Sequence, residues 1–307
     1  MRYRKIGNSD LEVSEVALGT WVFGGQCWGE VDDARSGRVI EEAVDRGINF
    51  IDTAPVYGDG RAEEVVGKGL RSAKKTVIIA AKCGLEKKGH SIRPNLSAAF
   101  IRKEVEASLR RLSTETIDLY QCHWPDPNTS IRETFGEMNK LVKEGKIRYI
   151  GVSNFNMEVM DRISSIAPVI SDQVQYSLLC RDAEKDLMPF CLGKNISILS
   201  YGSLAGGLLT GKYKEPPVLT RGDVRSFFYK YYTEPFWTKA RAVVGALEGI
   251  ARERGVPAAQ VAIRWILANR AVASCIVGCR TPEQLRDNTG AADWRLSEEE
   301  ISKMQSA

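Results

Sequence analysis

The sequence predicts an α/β chain folded as a single (β/α)8 TIM barrel over residues 1–307, and three observations predict it. Eight short β-rich runs recur along the chain, at Val16–Thr20, Asn49–Thr53, Thr76–Lys82, Ile117–His123, Arg148–Ser153, Ile170–Gln175, Ile196–Tyr201 and Ser274–Gly278. Several, such as Val77-Ile-Ile-Ala-Ala81, are apolar throughout, as strands covered on both faces should be. Helix signals fill the intervals, and this alternation implies parallel strands joined by right-handed crossovers. Eight such units close most naturally into a barrel, although strand count alone leaves a doubly wound open sheet as a competitor. No linker, low-complexity stretch or long charge run divides the chain.

The first segment, Met1–Glu15, precedes the first strand and is expected to cap the bottom of the barrel. Ser97 is placed to cap a helix whose stripe is Ile101, Val105, Leu109 and Leu112. Ser130-Ile-Arg-Glu133 spells a capping box, followed by Ile131, Phe135, Met138 and Val142 along one helical face. After the seventh strand, Ala205 to about Pro235 exceeds what a barrel needs. It carries Gly206, Gly207, Gly211 and an aromatic cluster from Phe227 to Tyr232, which favours a long loop serving as lid or substrate wall. Thr281-Pro282 opens another helix with proline in its first turn, and Ser297–Ala307 reads as the last one.

Composition narrows the function classes. Lys plus Arg is 43 against 39 for Asp plus Glu, a net charge of +4 that is too mild to announce a nucleic-acid protein. Two histidines, His90 and His123, argue against a multi-histidine metal site. The seven cysteines form no Cys-x-x-Cys, the first residues lack the apolar stretch of a signal peptide, and no apolar run approaches the length of a membrane span. The expectation is a cytoplasmic protein with reduced thiols and no membrane partner.

In a (β/α)8 barrel, chemistry sits at the C-terminal ends of the strands. Those ends carry Asp52, Lys82, His123, Ser153-Asn154, Gln175, Tyr201-Gly202-Ser203 and Gly278. Singly, each has a bland reading as a strand terminus facing solvent; their convergence is the signal. Tyr57 lies in the turn Ala54-Pro-Val-Tyr-Gly-Asp-Gly60, which can bring its hydroxyl over the mouth. A lysine ammonium nearby is expected to lower the phenol's pKa from about 10, and an aspartate to keep that lysine charged. A histidine beside the phenol can orient a carbonyl. The set suits protonating an oxygen as a carbonyl is reduced. It lacks obvious metal ligands and a serine–histidine–acid order.

These residues lie in stretches that resemble the aldo-keto reductase superfamily, including its potassium-channel β-subunit-like members. The stretches are Leu18-Gly-Thr20, Gly47–Gly58, Ala81-Lys-Cys-Gly84, Asp118–Asp126, Gly145–Phe155 and Ser200–Lys212. The resemblance implies hydride transfer between a nicotinamide cofactor and an aldehyde or ketone, with a tetrad of Asp52, Tyr57, Lys82 and His123 and Tyr57 as proton donor. It further implies that Ser153, Asn154 and Gln175 hold the carboxamide and that Tyr201 stacks on the nicotinamide. Asp52, Gly19, Thr20 and Trp21 would lie beneath and beside that ring, with Gly202, Ser203 and Leu204 continuing the cofactor wall.

Gly206-Gly-Leu-Leu-Thr-Gly-Lys212 nearly spells a nucleoside-triphosphate loop, but Tyr213 replaces the magnesium-binding hydroxyl. Its glycines, with Gly211 and Lys212, can still approach a pyrophosphate. Near the last strand some relatives carry Lys-Ser where this chain has Gly278-Cys279. Arg280 offers a planar donor fork to a 2′-phosphate, with Gln284 and Asn288 toward the adenine, which favours NADP(H) over NAD(H). Arg280 as a solvated helix-start arginine is the competing reading. The chain ends soon after its last helix, so substrate selection falls to Trp21, Phe23, Trp28, Trp124 and the aromatic segment, with Tyr57 and His123 at the reacting carbonyl. Two other functions stay open at this point: a nicotinamide-binding regulatory or sensor subunit with little turnover, and an aldolase-like barrel using Lys82 as a Schiff base.

Overall fold

The computed structural model describes residues 1–71, 76–89 and 91–306. His90 lies outside the described residues. Two short strands, β1 (Tyr3–Lys5) and β2 (Glu12–Ser14), pair antiparallel ahead of β3 (Val16–Gly19). There follow α1 (Asp33–Asp45), β4 (Phe50–Asp52), α2 (Arg61–Leu70) and β5 (Ile78–Cys83). A hairpin of β6 (Leu85–Lys88) and β7 (Ser91–Pro94) precedes α3 (Ala98–Leu112), β8 (Ile117–Cys122), α4 (Ile131–Lys143), β9 (Ile147–Ser153) and α5 (Met157–Ser164). The chain continues through β10 (Val169–Gln175), α6 (Leu187–Gly193), β11 (Ser197–Tyr201), α7 (Val224–Phe228), α8 (Phe236–Arg254) and α9 (Ala258–Ala268). It ends with β12 (Val272–Gly278), α10 (Pro282–Thr289) and α11 (Glu298–Gln305).

The strands β3, β4, β5, β8, β9, β10, β11 and β12 close into one parallel barrel, sealed where β12 pairs with β3 through Cys275 and Val16. All eight runs read from the sequence are its staves, and the open sheet is excluded. Within it, Ala17, Phe50, Ala80, Leu119 and Leu199 form an apolar layer with Ile6, Leu11 and Val13 of the N-terminal hairpin. That hairpin is therefore the expected bottom cap. It is tied down by buried Glu15, which accepts from Arg4 Nε at 2.8 Å and Arg264 Nη1 at 3.0 Å.

Because side chains alternate along a strand, the next inward residues lie two positions nearer the C-terminal mouth. They are Asp52 above Phe50, Lys82 above Ala80, Gln121 above Leu119 and Tyr201 above Leu199. The sequence thus stacks a polar storey on an apolar one, and the apolar floor fixes the height of the site.

The helix signals translate with three corrections. Ser130 Oγ accepts from the Glu133 amide at 3.1 Å, but the Glu133 carboxylate does not return the bond; it accepts from the Ala98 amide at 3.0 Å and ties α4 to α3. The buried stripe of α4 runs through Phe135, Met138 and Leu141, while Val142 is exposed. Ser97 precedes α3 without a side-chain capping bond, its hydroxyl being held by Asn95 Oδ1 at 2.7 Å. The segment after β11 is more ordered than a loop: a 3-10 stretch at Ala205–Thr210, then α7, capped by Asp223, then a 3-10 turn at Lys230–Tyr232. Tyr232 Oη holds it by donating to the Ala205 and Gly206 carbonyls. Among the described residues no helix is long and apolar enough to cross a membrane.

Candidate active site

Four side chains from three strand ends and one turn meet at the barrel mouth. Lys82, on β5, is fully buried, and its Nζ donates to Asp52 Oδ1 of β4 at 2.6 Å and to Tyr57 Oη at 3.1 Å. The Thr53 carbonyl, at 3.2 Å, is its third acceptor. All three ammonium protons are used, which is the condition for keeping a buried lysine charged. The His123 ring stands edge-on to Tyr57 with centroids 5.9 Å apart.

The turn carrying Tyr57 is held by backbone packing that only glycine allows. A Cβ on Gly24 would lie 2.6 Å from the Tyr57 carbonyl carbon, and Gly58 opposite adopts φ 67°. This contact seats Trp21 flat against Tyr57, with centroids 5.8 Å apart. Trp28 meets Trp21 edge-on at 5.5 Å, and Phe228 of α7 meets it at 5.4 Å. The aromatic wall expected from Trp21, Trp28 and the long segment is thus assembled, with Phe228 as the member that reaches the site. Phe227 beside it is 66% exposed, while Tyr229, Tyr231 and Tyr232 are buried supports.

The electrostatics correct one expectation. Lys82 was to lower the Tyr57 pKa, yet burial, with Asp52 adding to it, pushes that pKa well above the usual 10. The Lys82 charge is balanced at 2.6 Å by Asp52, so the phenol sees a near-neutral pair. Burial, reinforced by Lys82, also drives His123 well below the ordinary imidazole value. The site therefore holds a neutral phenol with a proton to give and a neutral imidazole. A pH signature follows. The unfolded chain takes up a proton at His123 below about pH 6.5, while the folded chain resists it. In that window the unfolded state binds more protons, so stability falls as pH drops. The slope from this residue reaches at most about 1.4 kcal/mol per pH unit. Urea unfolding on either side of that pH should show the dependence reduced in His123→Gln.

The second carboxylate oxygen of Asp52 accepts from Gln173 Nε2 at 2.7 Å, with Gln121 at 3.4 Å. Neither glutamine was among the expected site residues. The strand-end rule selected Gln175, but the same face of β10 also presents Gln173 one storey lower, where it completes the Asp52 shell. Gln175 itself lines the mouth.

Next to the tetrad, Asn154 donates from Nδ2 to the His123 carbonyl at 3.2 Å and to Ser153 Oγ at 3.0 Å, and its Oδ1 accepts from Tyr201 Oη at 2.9 Å. Ser153 Oγ donates to the Gln173 carbonyl at 2.8 Å. Asn154, Gln175, Tyr201 and Trp124 line an open cleft of about 600 Å³ together with Phe155 and Met157. A larger groove of about 870 Å³ lies apart, between α4 and α5.

The remaining expected residues are spread around the rim. Thr20 Oγ1 donates to the Asp52 carbonyl at 2.9 Å, and Gly19 pairs with Asp52 across β3 and β4. The Ser203 hydroxyl is spent internally, donating to the Ile276 carbonyl at 3.0 Å, and Leu204 is partly buried. Gly206 and Gly211 have φ 65° and 76°, and Lys212 Nζ lies over the Tyr213 ring, 4.8 Å from its centroid. Arg280 Nη2 donates to the Glu30 carbonyl at 2.9 Å, and its amide donates to Gln284 Oε1 at 2.8 Å. Asn288 is buried and turns inward, donating to Cys279 Sγ at 3.3 Å, so its side chain does not point to solvent beside Gln284. Gly278 pairs with Gly19 at the closing seam.

Residues 15–307 match the model of the Aldo/keto reductase family. The chain belongs to that family. Among its aldo-keto reductase relatives, Aldo-keto reductase YhdN of Bacillus subtilis (strain 168) is 40% identical over 98% of this chain and 91% of its own length. The NADH-specific methylglyoxal reductase of Escherichia coli (strain K12) is 33% identical over 99% of this chain and 98% of its own. Among solved structures, the glycerol dehydrogenase AKR11B4 from Gluconobacter oxydans superposes with a TM-score of 0.91 at 40% identity, covering 99% of this chain and 94% of that one. The aldo-keto reductase assignment makes the chain one of an oxidoreductase family that works on small carbonyl compounds with nicotinamide cofactors.

Proposed function

We propose that this aldo-keto reductase reduces an aldehyde or ketone to the alcohol with NADPH, using Tyr57 as the proton donor. The observation that carries the reading is the buried chain Asp52–Lys82–Tyr57, with bonds of 2.6 and 3.1 Å, ending in a protonated phenol beside a neutral imidazole. The reduced cofactor supplies a hydride to the carbonyl carbon. The carbonyl oxygen accepts hydrogen bonds from Tyr57 Oη and the His123 imidazole, and takes the phenol proton as charge develops on it. An alkoxide is about as basic as hydroxide and far more basic than a phenolate, so even a phenol raised by burial can protonate it. Lys82 then faces the phenolate, and Asp52 keeps Lys82 charged for that moment. Solvent at the mouth restores the proton.

The donor set fits a nicotinamide dinucleotide. Asn154 and Gln175, which carry amides, and Tyr201, which carries a ring, line one cleft. Arg280 keeps guanidinium donors unbonded among the described residues, which favours a 2′-phosphate. The methylglyoxal reductase and the glycerol dehydrogenase among its relatives point to small oxygenated substrates.

The test is loss of NADPH or NADH absorbance with methylglyoxal, glyceraldehyde and dihydroxyacetone. Turnover preferring NADPH is expected. Arg280→Met should lower kcat/KM for NADPH by roughly 10- to 100-fold, the value of charge-assisted bonds to a phosphate, and leave NADH unchanged. An NADH preference, insensitive to Arg280, would overturn the cofactor assignment; no turnover with either would overturn the function.

A further inference from the structure

Asp172 is a buried carboxyl group that the chemistry above does not use. It lies on β10 next to Gln173 and, by strand alternation, points out of the barrel toward the helix layer. It is 0% exposed, and neither carboxylate oxygen has a hydrogen-bond partner. Burial pushes its pKa up to about 8, and the Phe155 and Asn154 amides, which face it, act in the opposite direction. Cys191 of α6 and Tyr201 of β11 are the titratable neighbours it influences.

The Phe155 amide presents the complementary deficit. Phe155 is 4% exposed, and its N–H has no acceptor in the hydrogen bonds of the described residues. A buried donor without an acceptor and a buried acceptor without a donor therefore face each other. An unpaired buried donor and an unpaired buried acceptor are both costly, so the contact between them is favoured from both sides.

What that turn carries makes the pairing functional. Asn154 adopts φ 63°, in the left-handed region that asparagine tolerates better than most residues. In that conformation its side chain bridges the His123 carbonyl and the Tyr201 hydroxyl, and its own amide donates to the Gln173 carbonyl at 3.1 Å. A second anchor is needed at Phe155 to stop the turn relaxing toward ordinary backbone, and Asp172 is the acceptor within reach.

We propose that Asp172 is a positioning residue of this site, whose carboxyl holds the left-handed Asn154–Phe155 turn and so presents Ser153 and Asn154 to the nicotinamide carboxamide. This rests on the nicotinamide reading above. It makes a distinction that a general structural role does not. Only the nicotinamide end of the cofactor would depend on this turn, whereas Arg280, proposed for the adenosine end, follows β12, three strands around the barrel from β9.

The experiment is a fluorescence titration of wild type, Asp172→Leu and Asp172→Asn with NADPH and with 2′-phospho-ADP-ribose, the same molecule without its nicotinamide. Leucine keeps the branched shape at a larger volume and removes the acceptor; asparagine keeps both the size and an acceptor oxygen. Asp172→Leu should bind NADPH at least about tenfold more weakly, with 2′-phospho-ADP-ribose within about twofold, and Asp172→Asn should return NADPH binding to within about threefold. Unchanged NADPH binding in Asp172→Leu, or equal weakening of both ligands, overturns the proposal. If circular dichroism shows Asp172→Leu unfolded, Asp172→Ser, whose hydroxyl falls short of the turn, enters the same comparison with the same outcomes. Wild type binding neither NADPH nor NADH would sink the nicotinamide reading itself, a result distinct from wild-type binding that Asp172→Leu leaves untouched.

Discussion

Tyr57→Phe should lower kcat for carbonyl reduction by about 10²- to 10⁴-fold, the range associated with a positioned general acid, while the Kd for NADPH stays within about twofold. The substitution removes one oxygen whose single described partner is Lys82 Nζ at 3.1 Å. The Tyr57 ring is also the surface on which Trp21 rests at 5.8 Å, and phenylalanine preserves that packing. Folding and pocket shape should therefore survive, and the loss should fall on the chemical step. Single-turnover reduction with enzyme and NADPH premixed checks this directly. A variant with wild-type kcat would show that the proton comes from elsewhere, with water ordered by His123 as the next candidate. His123 itself is held neutral by burial, so it can donate a hydrogen bond but has no spare proton at neutral pH.

How far the site could be read in the sequence depends on which physical quantity each feature needs. The eight staves were legible because strands buried on both faces are written as apolar runs, and Lys82 after Val77–Ala81 stood out against such a run. The meeting of Asp52, Tyr57, Lys82 and His123 was legible because strand ends at one mouth must converge once the barrel closes. Gln173 was not, although Ile170-Ser-Asp-Gln-Val174 places Asp172 and Gln173 side by side inside a mostly apolar strand. Only the barrel's register shows that one of them meets Asp52 across the lumen and the other faces the helices. The hairpin of β6 and β7 is not legible because both strands are mostly polar and largely exposed, with little buried pattern to mark them. The direction of the Tyr57 shift is not legible, for a different reason. Spacing brings Lys82 to the phenol, but the sign depends on how much water is excluded and on how fully Asp52 already neutralises the lysine. Both are properties of the packed mouth.

Lys82→Met should be the most damaging single change to stability, and its repair separates folding from catalysis. Methionine approximates the lysine stem but leaves Asp52, 3% exposed, without its cation. The two glutamines at 2.7 and 3.4 Å cannot supply a charge. Breaking a buried ion pair from one side costs about 3–5 kcal/mol, whereas removing both charges is often close to neutral. Lys82→Met/Asp52→Asn should therefore recover most of the stability lost in Lys82→Met, as read by urea unfolding. Reduction should stay abolished in both, because neither leaves a cation to face the Tyr57 phenolate. If the double variant recovers turnover along with stability, Lys82 matters as a structural partner of Asp52 and the proton route through Tyr57 needs another source of positive charge. If it recovers neither, the Asp52–Lys82 pair is coupled to packing beyond its own two charges. Fully buried Glu63, whose field also reaches Lys82, is the neighbour through which that coupling would pass.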